Sequence, residues 1–239
     1  MADIYEELEN FFRAQKDLFG PELMLDGDLN ENSRGVESGK SATAAAETGG
    51  KGQSPLRQFY YEIKDCLNCP LGALRTNFVF GAGNDHADLM LVGEAPGRDE
   101  DLKGIPFVGR AGQLLTLMLN AIGLQREDVF IANVLKCRPP NNRDPLPEEI
   151  DQCEPYLLKQ IDLIKPRLIV TLGRFAAASL LRSKTALGTL RGEVHTYNDV
   201  PLIVTYHPAA LLRNPQLKKQ AWEDLKKISG VLKNIDPTG

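Results

Sequence analysis

The stretch from residue 88 to residue 119 constrains the fold more than any other part of the chain. It begins with a short apolar run at residues 88–92, which predicts a buried strand. A turn rich in Gly and Pro follows at residues 93–97, and residues 106–115 then lead into an apolar helical pattern at residues 114–119. A strand, a glycine-rich turn and a helix in this order are typical of an open α/β sheet, which binds ligands at the carboxyl ends of its strands.

Further apolar runs repeat the pattern along the chain. Three more strands are predicted, at residues 129–134, 168–172 and 201–206. The predicted helices lie at residues 55–65, 147–164, 174–182 and 215–233. Strands that alternate with helices predict a three-layer α/β/α domain around a central, mainly parallel four-stranded sheet. Residues 188–198 are a candidate for an additional hairpin-like strand before the fourth.

Residues 1–54 form an acidic leader that differs from the rest of the chain. They predict an amphipathic helix over residues 3–19 and a flexible linker over residues 26–54, which has almost no large apolar side chain. The apolar face of this helix could pack on a protein partner. The leader carries 11 acidic and 5 basic side chains, whereas the remainder carries 21 acidic and 23 basic ones. The remainder is therefore mildly basic, which is compatible with a local surface that binds phosphates.

The remaining composition narrows the class of protein. The chain has no apolar run as long as the roughly 18–20 residues of a membrane span, and its amino terminus lacks the pattern of a signal peptide. We therefore expect a cytoplasmic protein that does not bind membranes.

Four cysteines have the spacing of a metal site. Cys66 and Cys69 form a C-x2-C pair, and Cys137 and Cys153 follow much later. Because cytosolic cysteines rarely form disulfides, four thiolates are better explained as ligands, and both zinc and a [4Fe–4S] cluster suit such a set. Either group would join two distant loops.

Four segments together resemble the family 4 uracil-DNA glycosylases, the iron–sulfur branch of the uracil glycosylase superfamily. They are residues 93–97, 106–109, 133–140 and 207–215, and the cysteine arrangement resembles that family as well. The resemblance covers roughly residues 58–233 and implies a [4Fe–4S] cluster rather than zinc. It implies that residues 55–239 are a catalytic domain that flips uracil out of DNA and hydrolyses its N-glycosidic bond, leaving an abasic site.

The resemblance and the chemistry of the reaction assign roles to residues at the strand ends. Phe107 is expected to stack on the base, and the Asn133 amide to read its edge. His207 would donate a hydrogen bond to the departing uracil as a neutral ring, and Glu94 would orient water or stabilise the sugar cation. The backbone around the base would come from three small residues, Gly93, Ala95 and Gly97.

A second set of residues is expected to contact DNA outside the pocket. Leu211 is the candidate wedge that fills the gap left by the flipped base. The candidate phosphate contacts are the side chains of Arg110, Lys136, Arg138 and Arg213 and the backbone N–H groups of Gly109 and Gly112. Residues 138–152 contain no histidine, unlike a related branch that bonds covalently to DNA, so turnover is favoured. We expect a monomer acting on single- or double-stranded DNA.

Two other functions are compatible with parts of this pattern. A non-catalytic iron–sulfur or zinc DNA-binding module, associated with a polymerase or a repair complex, would share the cysteines and the fold. It would not require Glu94, Asn133 and His207 together. A dinucleotide-binding enzyme is disfavoured because the chain contains no G-x-G-x-x-G motif.

Overall fold

The computed structural model describes residues 54–235. The predicted leader helix of residues 3–19 lies outside the described residues, as does the predicted linker except for Ser54. The first described helix begins where the sequence predicts, because Pro55 occupies its first turn and the Ser54 hydroxyl accepts a hydrogen bond from the Arg57 N–H at 3.2 Å.

The helices and strands alternate along most of the chain. The strands are β1 (Ala82–Gly83), β2 (Leu89–Gly93), β3 (Phe130–Asn133), β4 (Leu168–Leu172), β5 (Val194–Tyr197) and β6 (Val200–Thr205). The α-helices are α1 (Pro55–Ile63), α2 (Leu71–Leu74), α3 (Arg98–Lys103), α4 (Arg110–Ala121), α5 (Pro147–Ile164), α6 (Arg174–Leu181), α7 (Leu187–Leu190), α8 (Pro208–Arg213) and α9 (Lys218–Ile235).

The strands form one sheet in the order β1-β3-β2-β4-β6-β5. The four predicted strands are its parallel centre, and β1 and β5 pair antiparallel at its two edges. The predicted α/β class is therefore confirmed, but within residues 54–235 the sheet has six strands rather than four. The candidate strand in residues 188–198 is β5, which turns into β6 through Asn198 and Asp199, both with positive φ, as a tight hairpin turn requires.

The register of the parallel strands aligns their carboxyl ends at one edge of the sheet. Gly93 at the end of β2 is opposite Asn133 at the end of β3, and Leu172 of β4 is opposite Thr205 of β6. The central strands are largely buried, so they hold the first residues of the loops at this edge in fixed positions. Among the described helices, none is both long and apolar enough to cross a membrane.

Candidate active site

Phe107, Gly93 and Asn133 meet at the carboxyl edge of the sheet. A Cβ atom built on Gly93 would lie 2.3 Å from Asn133 Oδ1 and 2.7 Å from the ring of Phe107. Both distances are shorter than any normal contact, so only glycine lets the amide and the ring approach the end of β2 this closely. The predicted stacking ring and the predicted base-reading amide therefore lie side by side.

The Asn133 amide is buried with part of its hydrogen-bonding capacity unused. The side chain is 2% exposed, and Oδ1 has no hydrogen-bond partner among the described residues. The backbone that follows it is hydrogen-bonded to the end of β2, because the Val134 N–H donates to Gly93 O and the Leu135 N–H donates to Glu94 O, both at 3.0 Å. A buried acceptor without a partner is costly, so its presence at a strand end indicates a site that a ligand completes.

His207 precedes α8 and faces Phe107. The two ring centroids are 5.4 Å apart with an angle of 32° between the planes. The His207 Nδ1 accepts the Ala209 N–H at 3.1 Å, so the neutral ring carries its proton on Nε2. Although part of the side chain reaches solvent, desolvation by the surrounding protein, followed by the nearby Arg213 charge, lowers the pKa of His207 to about 4, and the Glu100 carboxylate opposes this shift. At neutral pH the ring is an uncharged N–H donor.

Glu94 follows β2 directly and is half-buried. Burial raises the pKa of Glu94 to about 7, the Asp144 carboxylate contributes to the rise, and the Arg174 cation opposes it. Sequence reasoning missed both neighbours. Arg174 could have been found from the sequence, because it lies two positions after the predicted end of a strand at residue 172. Asp144 could not, because its loop has no hydrophobic periodicity or motif. A carboxyl group that titrates near neutral pH is typical of acid–base chemistry.

The two glycines expected to bind phosphate have other roles in this structure. The Gly109 N–H donates to Glu100 Oε1 at 3.0 Å, so its hydrogen is already engaged. A Cβ built on Gly112 would lie 1.9 Å from Phe107 O, so this glycine lets α4 pack against the Phe107 backbone. Gly97 precedes α3, and a Cβ there would approach Glu100 Oε2 to 2.8 Å. Of the three, Gly112 alone meets backbone atoms, so it is the glycine that allows close packing of the loop that carries Phe107.

The structure corrects one further DNA contact expected from the sequence and shows that another lies buried. Lys136 is 0% exposed, and its ammonium group donates to Asn133 O at 2.8 Å and to Gln160 Oε1 at 2.6 Å, so it is enclosed where no phosphate reaches. Leu211 is 2% exposed on α8, and its role as a wedge between bases stays a prediction.

The expectations that the remaining arginines contact phosphates and that Ala95 borders the base stay predictions. Arg110 and Arg213 are exposed near the carboxyl edge, and the half-buried Arg138 donates to Asn142 Oδ1 at 2.7 Å. Ala95 is half-buried after Glu94 and packs against the apolar residues around the cysteines.

The four cysteines come from three separate parts of the chain and converge beside the site. Cys137 and Cys153 are buried in one small apolar cluster, and Cys69 packs against it. The Tyr156 hydroxyl donates to Cys66 Sγ at 3.1 Å, the Arg75 guanidinium to Cys137 Sγ at 3.4 Å, and the Lys136 N–H to Cys153 Sγ at 3.2 Å.

Burial raises the pKa of both interior thiols, and that of Cys153 reaches about 12. Within residues 54–235, no group of three or more His, Cys, Asp or Glu side chains meets the geometry of a single metal ion.

Comparisons with known proteins agree with this geometry. The model of the uracil DNA glycosylase superfamily matches residues 80–226. The type-4 uracil-DNA glycosylase of Archaeoglobus fulgidus is 51% identical over 74% of this chain and 93% of its own length. That of Sulfurisphaera tokodaii is 50% identical over 72% of this chain and 83% of its own length. A DNA polymerase of Bacillus phage SP01 is 28% identical over 66% of this chain but only 17% of the polymerase. The chain therefore belongs to the uracil DNA glycosylase superfamily, and within it to the type-4 family.

Proposed function

We propose that this protein is a DNA repair glycosylase that flips uracil out of DNA and hydrolyses its N-glycosidic bond, leaving an abasic site. The observation that carries the proposal is the buried, unpartnered Asn133 Oδ1 between Gly93 and the Phe107 ring, with the His207 ring facing the same space. Family membership supports the same reaction. The proposed substrate is uracil-containing DNA, either single- or double-stranded. In a cell without a nucleus the chromosome lies in the cytoplasm, so we place the enzyme there.

Recognition of uracil follows from the hydrogen-bonding pattern of one amide. Uracil presents a donor at N3 and an acceptor at O4, and the Asn133 amide offers the complementary acceptor and donor. Cytosine presents the opposite pattern, so it would leave both groups of a buried amide unpaired, which is a strong basis for rejection. Phe107 would stack on the flipped base, as enzymes of this kind require.

Cleavage of the bond needs stabilisation of charge that appears only in the transition state. Negative charge develops on uracil O2 as the base departs, and the His207 Nε2–H is a preorganised donor for it. Because His207 stays neutral, it acts as a hydrogen-bond donor and not as a general acid. Its hydrogen bond to O2 becomes stronger as negative charge develops on that oxygen. The Glu94 carboxylate would orient the attacking water or stabilise the oxocarbenium-like sugar.

The experiment that tests this reaction is single-turnover release of uracil from an oligonucleotide at saturating enzyme. Removal of one such donor commonly costs about 100- to 1000-fold in rate, so we expect that loss for His207→Ala with DNA affinity nearly unchanged. His86→Ala, which changes an exposed histidine before β2, is the matched control. Equal rates for wild type and His207→Ala would remove His207 from the mechanism. No release by wild type from any uracil substrate would favour the non-catalytic binding module.

We further propose that the four cysteines hold a [4Fe–4S] cluster, as the type-4 family implies. The donor set fits such a group, because Cys69, Cys137 and Cys153 share one apolar cluster and Cys66 is hydrogen-bonded to Tyr156, which packs against that cluster. N–H groups of Arg75 and Lys136 also point at the sulfurs of Cys137 and Cys153. When bound, the cluster would cross-link the 66–69 loop to α5 and take no part in the reaction. Purified protein should be brown and contain iron. Colourless, folded protein with one zinc would overturn the assignment.

A further inference from the structure

We propose that Arg126 is a positioning residue that fixes the Phe107 ring as the floor of the base pocket. This inference rests on the proposed function. Arg126 lies in the turn between α4 and β3, outside all four segments that carry the family resemblance. Its guanidinium contacts the backbone of Phe107, so it acts through the backbone of another residue.

Phe107 has a backbone conformation that needs external support. Its φ is +53°, in the left-handed region that a bulky L-residue rarely adopts. Such a conformation persists only where the surrounding structure holds it, and it is typical of functional sites. Here the left-handed turn accompanies a ring that lies beside Gly93 and His207.

The Arg126 guanidinium binds the two carbonyl groups at this turn. Nη2 donates to Pro106 O at 2.8 Å and Nη1 donates to Phe107 O at 3.0 Å. Nη1 also lies 3.4 Å from Thr116 Oγ1 on α4, which steadies the side chain. Two donors in a rigid plane fix the orientation of both peptide groups, which a lysine ammonium does not do.

A carboxylate holds the same loop from the opposite side. Glu100 Oε1 accepts the Val108 N–H at 2.8 Å and the Gly109 N–H at 3.0 Å. Two carbonyl groups and the two N–H groups that follow are thus held by one cation and one anion. The absence of a side chain on Gly112 leaves just enough room for Phe107 O beneath them. Without Arg126, the hydrogen bonds from Glu100 would still hold the residues after Phe107, but the carbonyl groups of residues 106 and 107 would lose their donors.

Loss of the guanidinium should therefore misplace the ring without removing it. Phe107 would relax from its left-handed backbone conformation toward the negative φ values that L-residues prefer, and the ring would leave its place beside His207. A displacement of about 1 Å in a group that orients a reactant can cost about 100-fold in rate. DNA affinity should change little, since Arg126 is not among the exposed arginines near the carboxyl edge of the sheet.

The test is a double-mutant cycle on the full chain. Arg126→Met, which keeps the length of the side chain, should slow single-turnover release of uracil by about 10- to 100-fold. Its Kd for a uracil oligonucleotide should stay within about twofold of wild type. Arg167→Met is the control, because Arg167 precedes β4 at the opposite edge of the sheet and its Nε lies 4.0 Å from Asp88 Oδ1. In a Phe107→Ala background, Arg126→Met should cause no further slowing.

Two results would overturn the inference. One is an unchanged rate of uracil release in Arg126→Met. The other is that Arg126→Met slows release by the same factor in the wild-type and Phe107→Ala backgrounds, which would mean that Arg126 acts independently of the ring. If Arg126→Met does not fold, Arg126→Lys goes through the same cycle, because it keeps the charge but not the paired hydrogen bonds. No release by wild type would instead refute the proposed function, so the two failures are distinguishable.

Discussion

The rate of uracil release should rise as the pH rises through about 7, because the reaction needs Glu94 as a carboxylate. Burial raises the pKa of Glu94 to about 7, so the group is protonated and inactive at lower pH and ionised at higher pH. The pKa of His207 is lowered to about 4, so this ring stays neutral across the same range and cannot produce the change. The profile should therefore show one ascending limb.

The size of the effect follows from the titration of a single group. With a pKa of about 7, Glu94 is about 3% ionised at pH 5.5 and about 76% ionised at pH 7.5, so the rate should rise about 25-fold. The neighbours of Glu94 set the direction in which variants move the midpoint. Asp144→Asn removes a negative charge and should lower the midpoint, whereas Arg174→Met removes a positive charge and should raise it.

The assay is single-turnover release at saturating enzyme between pH 5.5 and 8, with DNA affinity measured at each pH. Glu94→Gln is the control, because its residual rate should be low and independent of pH. A flat profile in wild type would refute the reasoning. So would a midpoint that neither Asp144→Asn nor Arg174→Met displaces, since both charges act on Glu94 in this structure.

Three further outcomes are expected. Gly112→Ala should lose about 1–3 kcal/mol of stability, and so several degrees of Tm, because its Cβ would overlap Phe107 O, whereas Gly230→Ala on α9 meets no atom within 4 Å and should not lower Tm. Lys136→Met should leave the salt dependence of DNA binding unchanged, but Arg213→Gln should reduce its log–log slope by about 0.9 if Arg213 meets a phosphate. Removal of residues 1–54 should leave uracil release largely intact, and a folded but inactive truncation would show that the leader belongs to the catalytic unit.

Much of the fold was determined by local sequence. Residues 168–172 form β4 and residues 147–164 form α5 with the predicted bounds, because an apolar run or a helical period ends at clear turn signals. The position of the site also followed, since Glu94, Asn133 and His207 each sit at the end of a parallel strand, and such ends share one edge of a sheet. Local pattern and topology suffice for both conclusions.

Other features were decided only by tertiary structure. β1 has two residues and no pattern of its own, and it is a strand only because β3 supplies its hydrogen-bonding partner. Lysine is usually a surface residue, yet Lys136 is buried. Gln160, 24 positions away, accepts a hydrogen bond from its ammonium group and so makes burial possible. Arg126 reaches the Phe107 carbonyl from 19 positions away. Contacts of this kind depend on how loops pack, and packing brings together residues whose separation in sequence carries no periodic signal.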